Sequence, residues 1–134
     1  MRPIGGWLPD PPDARDYRFA RTLGHALVGS SARVVIPEVA PIRDQGPLLS
    51  CVAFATCAAL ELAHADGKRL SELAVYWHAR LAHEAEGVDG GTYVRAAFAS
   101  LAPLGVPSSE SWPYVHDRVN VRPSIDAYVD AHDH

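Results

Sequence analysis

A chain of 134 residues fits one domain and can bury a core without disulfide staples. With 48% hydrophobic and 21% charged residues it has the composition of an ordinary globular protein, and a net charge of −4 leaves no basic footprint for nucleic acid. No apolar run approaches the roughly 20 residues that cross a bilayer, and the opening MRPIGGWLPDPPDARDYRF lacks the apolar core of a secretory signal. The expected address is therefore the cytoplasm, with neither membrane nor nucleic acid as partner.

Residues 1–33 read as an extended arm, with Pro3, Pro9, Pro11 and Pro12, two early glycines and few periodic apolar positions. Trp7, Leu8, Tyr17 and Phe19 are positioned to pin it to the surface of the domain spanning 34–134. Arg33-Val34-Val35-Ile36-Pro37 is short and β-branched, an edge strand stopped by proline. Pro41 to Ser50 is a turn-rich lead-in. A first helix is predicted from Cys51 to Ala65, capped by Ser50 and stopped by Asp66-Gly67. A second is predicted over Ser71 to Glu86, and a third from behind Gly90-Gly91, capped by Thr92, towards Leu101, with Pro103 and Gly105 closing it. Ser124–Ala131 is a short fourth candidate after Pro123. The fold class is mainly α: three helices around one core.

The two cysteines, Cys51 and Cys57, are six residues apart on one helix. Six helical residues rotate the chain by about 240° net and advance it by about 9 Å, beyond the roughly 7 Å Cα limit of a disulfide. Two free thiols in a reducing compartment follow. No CxxC or HExxH spacing is present, so no metal ligands are assigned and no cofactor is implied.

Cys51 stands in the first turn of its helix, where unpaired N–H groups and the macrodipole favour a thiolate, the nucleophilic form. Six residues earlier Gln45 lies on a loop that must return to the helix start. Its amide there can donate to an oxyanion forming beside the sulfur. Taken alone, the cysteine reads rather as a small buried apolar residue, as free cysteines most often are, and Gln45 as a turn residue.

The segment Asp44-Gln45-Gly46-Pro47-Leu48-Leu49-Ser50-Cys51-Val52-Ala53-Phe54-Ala55 resembles the active-site segment of papain-like, C1-type cysteine peptidases. Leu70-Ser71-Glu72-Leu73 is similar to the start of that family's second helix. Val88-Asp89-Gly90-Gly91 is similar to its Asn-Gly-Gly loop, whose backbone lines the substrate groove. Gly105-Val106 with Ser111-Trp112-Pro113-Tyr114 resembles the passage ending the helical lobe. The arm Gly6-Trp7-Leu8-Pro9-Asp10, with Asp13 to Tyr17, looks like the lead-in of bacterial members, as does the tail Arg122 to Tyr128. The resemblance implies the helical left lobe of the papain-like α+β fold without its β-rich right lobe. It makes Cys51 and Gln45 the catalytic residues and Leu49, Ser50, Asp89, Gly90 and Gly91 the substrate-binding ones, with a peptide or protein as substrate.

The sequence departs from the family in instructive places. The family's histidine base, with its asparagine, stands roughly 130–150 residues after the cysteine, and only the 83 residues 52–134 follow Cys51. His64, His78 and His83 fall in helices, His25 in the arm, His116 after the Trp-Pro-Tyr turn, and His132 and His134 at the frayed end. None is placed to serve as base. Leu49 replaces the family's glycine and crowds the substrate backbone; Val52 replaces its tryptophan. The disulfide of secreted relatives, near Leu48 and Val88, is absent. Three readings follow: an enzyme lobe completed by a second chain or segment carrying the histidine, inactive in isolation; an inactive peptide-binding module; or a structural subunit. In the last, a partner chain or self-association covers the face that the β-rich lobe leaves bare.

Overall fold

The computed structural model describes residues 5–16, 41–64 and 66–132. Its elements in chain order are β1 (Trp7–Leu8), α1 (Cys51–His64), α2 (Glu72–Leu81), β2 (Thr92–Tyr93), α3 (Val94–Leu104), a 3-10 turn (His116–Arg118) and α4 (Ile125–His132). The edge strand expected at 33–37, the arm–domain boundary at 33, and Tyr17 and Phe19 lie outside the described residues. No helix among the described residues is long and apolar enough to cross a membrane.

The mainly helical class is as expected, and α1 begins at the predicted residue. Ala and Leu dominate its interior, and it buries Val52, Ala53, Thr56 and Cys57. α2 is capped by Ser71, whose hydroxyl accepts the Ala74 N–H at 3.2 Å and donates to the Trp112 carbonyl at 2.6 Å. It stops at Leu81 rather than Glu86. The cause is Arg80, fully buried, whose guanidinium takes the carbonyls of Val88 (2.8 Å) and Val119 and the amide oxygen of Asn120 (3.0 Å). Meeting those acceptors draws the chain back in tight turns through Glu84, which has φ of 58°.

α3 starts one residue later than expected, and Thr92 does not cap it. Its N-cap is Tyr93, which makes no side-chain cap bond, while Thr92 is buried in β2 with its hydroxyl 3.0 Å from His83 Nε2. Pro103 falls in the last turn, and Gly105 ends the helix with its N–H on the Leu101 carbonyl at 2.8 Å. α4 is shifted by one residue from its predicted span, with Ser124 accepting the Ala127 N–H.

The core is built where α1, α2 and α3 cross: Ala53, Cys57, Val75, Tyr76, Ala79 and Ala97 have no exposed surface. The alanines let the helices approach closely, and each fully buried larger apolar side chain contributes about 1.5–3 kcal/mol. A second cluster joins Leu48, Leu73, Ala74, Trp112 and Ala127. Beside it Arg43 bridges Glu61 and Glu72, tying the lead-in loop to α1 and α2. Two residues of parallel pairing, Trp7 with Thr92 and Leu8 with Tyr93, bring the arm onto the body.

Candidate active site

Two backbone segments face each other at the N-terminal end of α1. One is Leu49-Ser50-Cys51, held by the turn before it. There the Asp44 carboxylate accepts the Gly46 N–H at 2.7 Å, and Gln45 Nε2 donates to the Leu48 carbonyl at 2.7 Å. Using one amide hydrogen on Leu48 leaves Gln45 with a second. The other segment is Asp89-Gly90-Gly91, in which Gly90 is exposed and Gly91 buried.

Ser50 precedes the helix as expected, and its carbonyl accepts the Ala53 and Phe54 N–H groups, but its side chain makes no cap bond because it is turned to Tyr114. Its hydroxyl is fully buried and lies 2.6 Å from the Tyr114 hydroxyl. Tyr114 in turn donates to the Gln45 carbonyl at 3.0 Å and packs edge-on against Phe54. That hydroxyl therefore ties the glutamine loop to the residue before Cys51. Burial raises its pKa.

Asp89 braces the two segments from the other side. Its Oδ1 accepts the Leu49 N–H at 3.0 Å and the Tyr76 hydroxyl at 2.6 Å, while the Tyr76 oxygen accepts the Gly91 N–H at 3.1 Å. The direction is unambiguous, since backbone N–H groups only donate. Tyr76 is fully buried with the Arg80 guanidinium 4.1 Å over its ring.

Cys51 and Cys57 are both free, as expected. Cys51 is half-buried at the head of α1 and faces the cleft. Cys57 has no exposed surface, and its burial, aided by Glu72 and Glu61, pushes its thiol pKa far up.

The cleft holds the arm. Cys51 N–H donates to the Gly5 carbonyl at 3.2 Å, and Thr92 N–H donates to the Gly6 carbonyl at 2.9 Å. A methyl group placed on Gly5 would lie 3.4 Å from the Cys51 sulfur. The sequence reading had side chains pinning this arm, yet Trp7 is 54% exposed. The arm is held by its backbone and by Asp10, whose Oδ1 accepts the Arg95 N–H at 3.0 Å. The signal missed in the sequence was the glycine pair Gly5-Gly6, which no turn explains.

Among the described histidines, His64 and His78 lie in helices as expected, and His25 and His134 lie outside the described residues. His78 is buried against Tyr128, and burial, then the nearby Arg122 charge, lower its pKa to about 4. His83, expected in the second helix, lies in the turn after α2 and packs edge-on against Tyr93. His116 is nearer the site than its position after the Trp-Pro-Tyr turn suggested: a methyl on Gly46 would come 2.7 Å from its Cε1. None of the described histidines is hydrogen-bonded to Cys51. A cavity of about 360 Å³ lined by Leu60, His64, Leu101 and Val106 lies at the opposite end of α1.

No protein-family model matches the chain. It is 28% identical over 103 residues, 73% of its length, to an uncharacterized peptidase C1-like protein of Acanthamoeba polyphaga mimivirus, of which it spans 33%. Its fold is similar to that of xylellain, a cysteine protease from Xylella fastidiosa, with a TM-score of 0.69 and 25% identity over 96% of this chain. The chain spans 55% of that structure.

Proposed function

We propose, on the premise that the chain belongs to the papain-like, C1-type cysteine peptidase family, that it forms the nucleophile-bearing lobe of a thiol hydrolase acting on peptides or proteins. The observation that carries this reading is a carbonyl oxygen, that of Gly5, resting on the Cys51 N–H beside the sulfur. A scissile carbonyl needs the same place.

In the reaction the Cys51 thiolate attacks that carbonyl carbon. A carbon–sulfur bond forms, and the π pair moves onto oxygen, which takes hydrogen bonds from Cys51 N–H and the remaining Gln45 amide hydrogen. Collapse expels the amine, which takes a proton from a histidine. Water then cleaves the thioester. The histidine and its asparagine come from a segment outside these 134 residues, on the same chain or a second one. Coverage of 96% of this chain by xylellain supports a bacterial-type member. In the form described, the arm closes the groove.

The test is alkylation with iodoacetamide, followed at each cysteine. With the arm displaced, Cys51 is expected to react much faster than Cys57, and addition of a β-rich segment bearing the histidine is expected to restore peptide hydrolysis that the chain lacks alone. Equal labelling of the two cysteines after arm release would overturn the reading. The same arm supports a second reading, a groove that holds extended peptides without cutting them. Under it, Cys51→Ala retains full function; under the first, it abolishes function.

A further inference from the structure

The arm shows what the groove selects. Where it crosses between Leu49 and Gly91, backbone meets backbone on both sides. A Cβ on Gly6 would overlap the Leu49 carbonyl, and one on Gly91 would overlap the Gly6 carbonyl. Gly5 and Gly6 also have φ of 91° and 82°, the left-handed region that penalises every other residue. A chain on this path has room for nothing but glycine at the crossing.

Four residues beyond Gly6 a second element is read. The first turn of α3 has no cap of its own, since Tyr93 makes no side-chain cap bond. The Asp10 carboxylate supplies one through the Arg95 N–H. Arg95 then closes over the segment, its guanidinium on the Pro11 carbonyl at 3.1 Å and on Asp16 at 2.7 Å. Between these points the side chains are left unread: Trp7 and Pro9 are exposed, and Trp7 and Leu8 contribute strand pairing.

We propose that the groove is a recognition site for extended peptide segments carrying a glycine pair followed, four residues after the second glycine, by an aspartate. The chain's own Gly5-Gly6-Trp7-Leu8-Pro9-Asp10 is its resident occupant, and a segment of the same pattern from another polypeptide is its ligand. The proposal rests on the reading of this cleft as the peptide groove beside the nucleophile. Binding is scored without hydrolysis, so the two fail separately.

The experiment uses the full chain with Gly6→Ala, which evicts the arm, and in parallel Asp10→Ala, which weakens it without adding a methyl at the crossing. Cys51 alkylation is expected to rise in both, with Cys57 still protected as evidence of a folded core. The acetylated hexapeptide Gly-Gly-Trp-Leu-Pro-Asp is then expected to slow alkylation of Cys51. The version with alanine as its second residue should bind about tenfold more weakly or worse, and the version ending in asparagine should bind more weakly than the parent. The proposal is overturned if the alanine peptide protects as well as its parent. It is equally overturned if the parent fails to protect in either variant, or if Cys51 alkylation rises in neither.

Discussion

One hydroxyl, that of Tyr114, ties the Gln45 loop to the residue before the nucleophile, touching Ser50 on one side and the Gln45 carbonyl on the other. Tyr114→Phe keeps the ring against Phe54 and removes both bonds. We expect a loss of about 1–2 kcal/mol in denaturant unfolding; an unchanged midpoint would show the brace to be energetically idle. His78 carries a pH dependence of definite sign. Its pKa falls from 6.5 to about 4 in the folded chain because burial, and secondarily Arg122, disfavour the charged ring. The unfolded chain therefore binds the proton first. Stability present above pH 6.5 is lost as pH drops towards 4, by up to about 3 kcal/mol. Melting temperatures taken between those values should fall, and His78→Gln should flatten that limb. Parallel slopes for the two proteins would refute the assignment.

At the scale of elements, helix starts were legible and helix ends less so. Ser50 and Ser71 announce α1 and α2 because a short polar residue before an apolar run marks a helix start, although only Ser71 caps with its hydroxyl while Ser50 turns its own to Tyr114. The end of α2 departs from the local pattern because it answers to a distant demand. Arg80 sits inside the protein, and the carbonyls that satisfy it belong to Val88 and Val119. No local pattern announces that. Arg80→Met keeps the aliphatic stem and strands three acceptors in the interior, so we expect a cost of about 3 kcal/mol or more. Chemical denaturation measures it, and a loss below 1 kcal/mol would mean that water replaces the guanidinium. The start of α3 departs from the local pattern for a related reason: the carboxylate that caps its first turn, that of Asp10, arrives from the other end of the sequence.

For the whole molecule the governing feature is the arm lying across the groove. Its latch is electrostatic in part, since Arg95 faces Asp13 at 3.6 Å and Asp16 at 2.7 Å with 40% of its own side chain exposed. Such pairs are weak and screened by salt. Raising the ionic strength should therefore quicken Cys51 alkylation modestly and leave Cys57 unmoved, and Arg95→Ala should mimic the effect at low salt. Salt-independent labelling of Cys51 would mean that glycine packing alone holds the arm.

What the sequence by itself determined was local: the helical class, the placement of Cys51 at a helix head, the free state of both thiols, and the resemblance that named Gln45 and Gly90-Gly91. Each rests on residues within a few positions of one another, where spacing and capping chemistry are sufficient. Only the tertiary structure decided how Tyr114, Asp89 and Tyr76 brace the cleft, and that Gly5 and Gly6 run through it. Those contacts join residues 13 to 86 positions apart, and the arm's run through backbone groups that every residue carries alike. A glycine's role there is set by what presses against it, and nothing in its neighbours along the chain records that.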